Sequence, residues 1–169
     1  MKNDIKSIVI DVLETIIISA IIVFVIMQFI LISVKVEGTS MEPNLNNGDF
    51  GFSFVISKNM GINRFDIVVI DSEKSQNRLV KRVIGLPNET IEYYDNVLYV
   101  NGEAVEEDFL DENTLTPDFT YTLKDDEYFV LGDNREVSKD SRYYGTFSLD
   151  DFVSSHVFVI WPFSHIGMK

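Results

Sequence analysis

Residues 78–85 read RLVKRVIG, and this short stretch decides which fold the chain is expected to adopt. Val and Ile favour strands, and the apolar side chains here occupy both of the alternating positions of a strand. A short apolar run of this length is typical of a strand that is covered on both faces. The stretch therefore predicts a buried strand with two cations, Lys81 and Arg82, at its centre.

Most of the remaining chain carries the same kind of pattern. Short runs of Val, Ile, Tyr and Phe are separated by Gly, Asn, Asp and Pro, which is typical of an all-β domain. In YYDNVLYVNG, Asp95 and Asn96 predict a hairpin turn, and Asn101-Gly102 predicts another turn. Residues 103–118 are acidic and weakly patterned, which predicts an exposed, solvated excursion. The predicted strands are 49–56, 66–71, 78–85, 90–96, 97–103, 127–133 and 155–161.

The N-terminal part differs, because residues 15–34, TIIISAIIVFVIMQFILISV, carry no charge. As a helix this run spans about 30 Å, the thickness of the hydrocarbon core of a bilayer, and it predicts a transmembrane helix. A cleaved signal peptide is the alternative, but its apolar region is usually only about 7–15 residues and no small-residue cleavage site follows here. Lys2 and Lys6 precede the run and Lys35 follows it, so the charges favour a cytoplasmic N-terminus by a single lysine.

Charge limits the partners that the chain can bind. Residues 1–35 have no net charge, so the whole formal charge of −13 lies in residues 36–169. A domain this acidic is not expected to bind nucleic acid or anionic lipid through a broad basic face. The chain has no cysteine and two histidines, so neither a disulfide, a thiol nucleophile, a metal site nor another cofactor is expected.

A serine follows the apolar run closely, in VEGTSMEP at residues 36–43. Ser40 is five residues beyond Lys35, at most about 18 Å away even in an extended chain. A nucleophile there would act on a substrate that emerges from the same bilayer. A G-x-S-x-G elbow is absent, and an ordinary turn serine is the alternative.

A nucleophilic serine needs a base, and the chain offers two kinds. His156 and His165 lie near the C-terminus, where a structural role in an apolar strand is the alternative to a Ser-His pair. Ser-Lys pairs also occur, but the lysine must be largely neutral, which burial and a nearby positive charge favour. Lys81 fits, with apolar neighbours on its own strand face and Arg82 beside it. The same pattern flanks Arg82, so periodicity leaves open which cation is the base, or whether both are ion-paired.

The stretch GDNREVSKDSRYYG, residues 132–145, follows an apolar strand and interleaves acidic, basic and hydroxyl side chains. Such a mixture predicts a buried, hydrogen-bonded network, since partly satisfied networks are costly. A solvated loop is the alternative.

Three segments resemble one family: EGTSMEPNL (37–45, the first segment), LVKRVIGLP (79–87, the second) and GDNREVSKDSRYYG (the third). In this order behind a membrane helix they resemble the motifs of bacterial type I signal peptidases of the Gram-positive kind. The resemblance covers essentially the whole chain. It implies a membrane-anchored serine endopeptidase that removes signal peptides from secreted preproteins beside membrane lipid, without a cofactor. It also implies a cytoplasmic N-terminus and anchor at 1–35, followed by a mainly antiparallel β catalytic domain outside the cytoplasm at 36–169, with a β excursion at about 86–128.

The same resemblance implies roles for single residues. Ser40 would be the nucleophile and Lys81 the general base, with Ser138 as the hydroxyl that holds the lysine ammonium group. Some relatives place an oxyanion-binding serine two residues before the nucleophile, but this chain has Gly38 there, so the Ser40 N–H is the first oxyanion candidate. The structural ion-pair and hydrogen-bond positions are Asp133, Arg82, Asp140 and Arg142, and the residues expected to contact substrate are Gly38, Met41 and Val80.

The sequence departs from the family pattern at Glu37, at Asn44 and at Asn88-Glu89. Asn tolerates left-handed backbone nearly as Gly does, so the turn at Asn88 is expected to survive. Two other functions fit the sequence: a Ser-Lys peptidase dedicated to a narrow substrate such as a pilin, and a catalytically silent, membrane-tethered β domain that binds peptides. The intact Ser40, Lys81 and Ser138 argue against the silent domain.

Overall fold

A computed structural model describes residues 2–55, 60–75 and 77–169, apart from the side chains of 2–4, 26, 28 and 29. Its internal contacts divide the chain into two units, Met1–Leu31 and Ile32–Lys169. The first unit is the helix α1, Lys2–Ile30, in which the described apolar side chains between Ile5 and Met27 are exposed. Its part Ile5–Val25 is long and apolar enough to cross a membrane.

The helix ends before the predicted span does. The prediction ran to residue 34, but Leu31–Lys35 forms the strand β1. Val34 and Val36 are buried in an apolar cluster with Met41, and β1 is hydrogen-bonded to a neighbouring strand. The end of the apolar run therefore belongs to a sheet, and the predicted C-terminal boundary of the span was wrong because strand and membrane helix are equally apolar.

The second unit is built from two antiparallel sheets, as the predicted mainly β fold requires. The larger has the strand order β1-β2-β10-β3-β4-β9, with β11 paired to β10, and the smaller has the order β7-β6-β5-β8. The further strands are β2 (Phe50–Phe54), β3 (Ile67–Ile70), β4 (Leu79–Gly85), β5 (Thr90–Tyr94), β6 (Val97–Val100), β7 (Glu103–Val105), β8 (Phe119–Thr122), β9 (Phe129–Leu131), β10 (Phe152–Trp161) and β11 (Gly167–Met168), with a short helix α2 at Ser141–Tyr144.

Each predicted strand overlaps an observed one, although Ile56, at the end of the first, lies outside the described residues. The hairpin between β5 and β6 is confirmed, and its turn residues Asp95 and Asn96 adopt φ values of 50° and 62°. Four strands were not predicted, namely β1, β7, β8 and β11. Apart from β1 they are two to four residues long, which is too short for a period of two to stand out.

The prediction of a solvated excursion at residues 103–118 was wrong in part. β7 pairs with β6, and Thr116 is buried. The side chain of Glu107 is only 8% exposed, because it pairs with the buried guanidinium of Arg135. An acidic residue whose partner lies far along the chain cannot be told from a solvated one by composition.

The strand β4 lies between β3 and β9 and is covered on both faces, as predicted. Leu79 and Val83 pack in one apolar cluster, whereas Val80 and Ile84 belong to two others. This placement holds the two central cations of β4 inside the domain.

Candidate active site

Ser40 lies on a turn that follows β1. Gly38 adopts a φ of +94° just before it, a left-handed conformation that favours glycine, and its N–H donates to Asn47 Oδ1 at 3.0 Å. On the other side, the Ser40 carbonyl accepts a hydrogen bond of 3.0 Å from the Asn134 N–H in the third segment. Within residues 2–55, 60–75 and 77–169, the Ser40 N–H donates no hydrogen bond.

The structure brings Ser40 and Lys81 together from positions 41 residues apart. Lys81 Nζ donates to Ser40 Oγ at 2.7 Å and to the Val80 carbonyl at 2.9 Å. Both acceptors are neutral oxygens, and Lys81 is only 3% exposed. Among the residues that the structure describes, no carboxylate is in hydrogen-bond contact with this buried ammonium group.

Burial lowers the pKa of Lys81 from 10.5 to about 8, against the opposing charges of Asp140 and Asp133, which raise it. The sequence analysis expected Arg82 to help lower this pKa. Arg82 instead directs its charge to Asp133 through two hydrogen bonds, Nε to Oδ1 at 2.8 Å and Nη2 to Oδ2 at 2.7 Å. Desolvation is thus the main cause that makes a neutral amine accessible near neutral pH.

Gly132 lets the third segment approach Ser40 closely. A Cβ at this position would collide with the Ser40 carbonyl oxygen and with the side chain of Ser138. Ser138 Oγ is buried and has no hydrogen-bond partner in the part of the chain that the structure describes. The hydrogen bond from Lys81 to Ser138 that the resemblance implied is not formed here, since Lys81 Nζ is directed to Ser40 and Val80.

The third segment forms the predicted buried network, with Ser138 Oγ as its exception. Asp140 accepts from Arg142 Nε at 2.9 Å and Nη2 at 2.8 Å, and from the Gly132 N–H at 3.1 Å. It also accepts from the Arg142 N–H at the start of α2. Arg142 Nη2 reaches the carbonyl of Arg135 at 2.7 Å. These bonds fix the loop that carries Ser138.

A cavity of about 410 Å³ opens beside Ser40 and Lys81. Val80 and Met41, for which the sequence predicts substrate contacts, line this cavity, although Met41 is almost wholly buried. Gly38 does not line this cavity. Sequence reasoning missed some of its lining, which consists of Lys35, Val36, Glu37, Ser40, Met41, Asn77, Arg78, Leu79, Val80 and Lys81.

Asn44 is a contact that sequence reasoning missed. Its Nδ2 donates to Asp133 Oδ2 at 2.9 Å and to the Phe109 carbonyl at 2.8 Å. The available signal was the departure from the family pattern at this position of the first segment.

The two histidines lie elsewhere. His156 Nε2 is 3.4 Å from Asp66 Oδ1, and His165 Nδ1 is 2.9 Å from Asp49 Oδ1. The side chain that reaches the Ser40 hydroxyl is that of Lys81.

Comparisons with known proteins agree with this geometry. The family model described as signal peptidase, peptidase S26, matches residues 9–161. The chain belongs to this family. It is 39% identical to signal peptidase I P of Bacillus subtilis subsp. natto, over 95% of this chain and 94% of that protein. It is 36% identical to signal peptidase IB of Staphylococcus aureus, over 91% of this chain and 92% of that protein.

A solved structure is also similar. The crystal structure of a signal peptidase I from Enterococcus faecalis aligns with a TM-score of 0.51 and 38% identity, covering 56% of this chain and 96% of that one. The protein is thus a serine endopeptidase of the signal peptidase family, and the family is membrane-anchored. The predicted fold class and family are confirmed.

Proposed function

We propose that this peptidase, which removes signal peptides from preproteins, does so with Ser40 as nucleophile and Lys81 as general base. The observation that carries the proposal is the 2.7 Å contact between Lys81 Nζ and Ser40 Oγ inside a buried site. Once deprotonated, the amine takes the hydroxyl proton as Ser40 Oγ bonds to the scissile carbonyl carbon. The Ser40 N–H donates to the oxyanion that forms.

Collapse of the tetrahedral intermediate breaks the C–N bond, and Lys81 gives its proton to the departing amine of the mature protein. The signal peptide is then held as an ester of Ser40. Water attacks this ester, Lys81 accepts a proton from the water, and the regenerated Ser40 hydroxyl takes that proton back. The buried Ser138 Oγ, which lacks a partner among the described residues, supports a role as acceptor for the ammonium group that forms.

The substrate would lie extended in the cavity between the first segment and the start of β4. Val36, Leu79 and Val80 give this cavity apolar walls next to Ser40. We assign Val80 and Met41 to substrate contacts in this cavity, with Gly38 keeping the turn open beside them.

We place the anchor in α1, Lys2–Ile30, with a cytoplasmic N-terminus, and the catalytic domain, Ile32–Lys169 with its excursion at about 86–128, outside the cytoplasm. Membrane lipid is the proposed partner of an exposed apolar surface in the second unit. Apolar side chains cluster there along β10, β11 and the turn between them, which supports contact with lipid despite the acidic charge. These side chains are Phe158, Trp161, Phe163, Ile166 and Met168.

The test is cleavage of a labelled preprotein by the full-length chain in lipid vesicles, with Ser40→Ala as the control. We expect one cut, located by mass spectrometry of both products, and none with the variant. A panel of unrelated signal peptides separates a general peptidase, which cuts most of them, from one dedicated to a narrow substrate. Intact preprotein across the whole panel would refute the proposed function.

A further inference from the structure

The excursion at residues 103–118 touches all three segments that build the candidate site. Two side chains of the loop after β7 turn inward, and they are called the clamp residues here: Glu107 and Phe109. Neither was assigned a role by sequence analysis, which predicted a solvated excursion. Each contacts a buried arginine of the site.

Phe109 contacts the second segment. The centre of its ring is 4.0 Å from the Arg82 guanidinium carbon, and it also packs on Phe65 with ring centres 5.0 Å apart. The Phe65 carbonyl accepts from Arg82 Nη1 at 2.9 Å. Asp133 holds the edge of this guanidinium, and Phe109 covers its face, an arrangement that attracts a cation to the aromatic ring.

The main chain at Phe109 contacts the first segment. Its carbonyl accepts 2.8 Å from Asn44 Nδ2, the same atom that donates to Asp133 at 2.9 Å. Asn44 lies on the turn that carries Ser40, where the Leu45 N–H bonds back to the Met41 carbonyl. The Phe109 carbonyl thus holds the side-chain amide of Asn44, which connects the turn that carries Ser40 to Asp133.

Glu107 contacts the third segment. Its Oε1 accepts from Arg135 Nη2 at 2.6 Å and from the Tyr93 hydroxyl at 2.8 Å. Arg135 also donates from Nε to the Gly132 carbonyl at 3.1 Å. Gly132 is the residue that packs against both Ser40 and Ser138, so Glu107 acts on the site through one arginine and one glycine.

We infer that Glu107 and Phe109 are positioning residues for the cleavage reaction, which hold the three segments at the separation where Lys81 reaches Ser40. The inference rests on the proposed function for its readout. Both side chains also contact the core of the smaller sheet, since Phe109 packs against it and Glu107 accepts from Tyr93 within it. A positioning role is therefore distinguished from a role in this core by kcat and by hydrogen exchange in the third segment.

The experiment measures preprotein cleavage by the full-length chain in lipid vesicles. Glu107→Gln keeps the shape and removes the charge, and Phe109→Leu keeps an apolar side chain and removes the aromatic face. We expect each to lower kcat about tenfold or more with little change in KM, because the substrate cavity is lined by other residues. Phe109→Tyr keeps the aromatic face and is expected to retain kcat.

Matched controls come from the same excursion and sheet. Glu106→Gln alters the exposed carboxylate next to Glu107, and Tyr121→Leu removes an exposed aromatic ring from β8. Both should leave kcat unchanged. Hydrogen exchange gives a second readout, since the Asn134 N–H, which bonds to Ser40, should lose protection in Glu107→Gln and Phe109→Leu alone.

Folding of each variant is checked by cooperative thermal unfolding, and Phe109→Met replaces Phe109→Leu if the latter does not fold. Wild-type kcat in folded clamp variants, or an equal loss in the two controls, would overturn the inference. If the wild-type chain cleaved no preprotein, the proposed function would fail instead. Hydrogen exchange would still test the inference in that case. Unchanged amide hydrogen exchange at residues 132–145 in both clamp variants would overturn it.

Discussion

Lys81 and Arg82 are neighbours in β4 and both are buried, but they differ in their hydrogen-bond partners. Arg82 donates to both oxygens of Asp133 and to the Phe65 carbonyl, so the Asp133 carboxylate neutralises its charge. Lys81 donates to two neutral oxygens, those of Ser40 and Val80. A buried cation with a bidentate carboxylate is structural, whereas one without a carboxylate contact can lose its proton and act on a neighbour.

Removing the reactive cation should have the largest effect. Ser40→Ala and Lys81→Ala should each lower kcat for preprotein cleavage by about 10⁴-fold or more, and the double variant should be no worse than either, because the pair acts as one unit. Lys81→Arg should be equally inactive, since a guanidinium does not deprotonate in proteins. Cleavage rates of purified, folded variants check this. If Lys81→Ala kept more than about a tenth of the activity, another base would have to replace Lys81.

Removing the structural cation should cost stability. Arg82→Met leaves the Asp133 carboxylate buried and unpaired, which should reduce the free energy of unfolding by about 3–5 kcal/mol. The control is Arg78→Met, which breaks an exposed pair with Asp71 and should cost at most about 1 kcal/mol. Urea unfolding of both variants measures the difference. Equal losses would show that the Arg82 pair contributes no more than a surface pair does.

The placement of Lys81 and Arg82 on one buried strand was predictable, because alternation along a strand depends only on adjacent residues. Their different partners were not, since Asp133 lies 51 residues from Arg82 and Ser40 lies 41 residues from Lys81. Only the resemblance to a family brought these positions together before the structure was known. The alternation of residues along the strand places apolar neighbours on both sides of each cation, so it cannot distinguish Lys81 from Arg82.

Two further differences have the same origin. Glu107 was predicted to be solvated, because its partner, Arg135, is 28 residues away and composition records only its charge. Most of the strand β1 was predicted to be membrane helix, because a membrane-spanning segment and a strand in a sheet core have the same apolar composition. Local patterns thus predicted element type in most of the second unit, and failed where a distant residue determines burial.

The comparison also predicts a stability gain from removing the reactive cation. The pKa of Lys81 lies near 8 in the folded protein against 10.5 unfolded, so between these values the unfolded chain holds a proton that the native state has lost. Wild-type stability should therefore rise as pH increases from about 8 to 10.5. Lys81→Met removes this dependence and should be more stable at pH 7 by up to about 3 kcal/mol, a shift of several degrees in Tm. Thermal unfolding of both proteins at pH 7 and 10.5 measures it, and a less stable Lys81→Met at pH 7 would contradict it.

The smallest effects concern the pH dependence of cleavage. Lys81 must be neutral to accept the Ser40 proton, so kcat/KM should rise with pH along an acid limb centred near the Lys81 pKa of about 8. Asp140 and Asp133 raise this pKa, and salt that screens them would move the limb to lower pH. Both carboxylates are buried, where screening is weak, so the shift should be slight. The control is the double variant His156→Gln, His165→Gln, whose limb should coincide with that of the wild type because the structure pairs His156 with Asp66 and His165 with Asp49. Loss of the limb in that variant would assign the titration to a histidine, and Lys81 would then be a second structural cation beside Arg82.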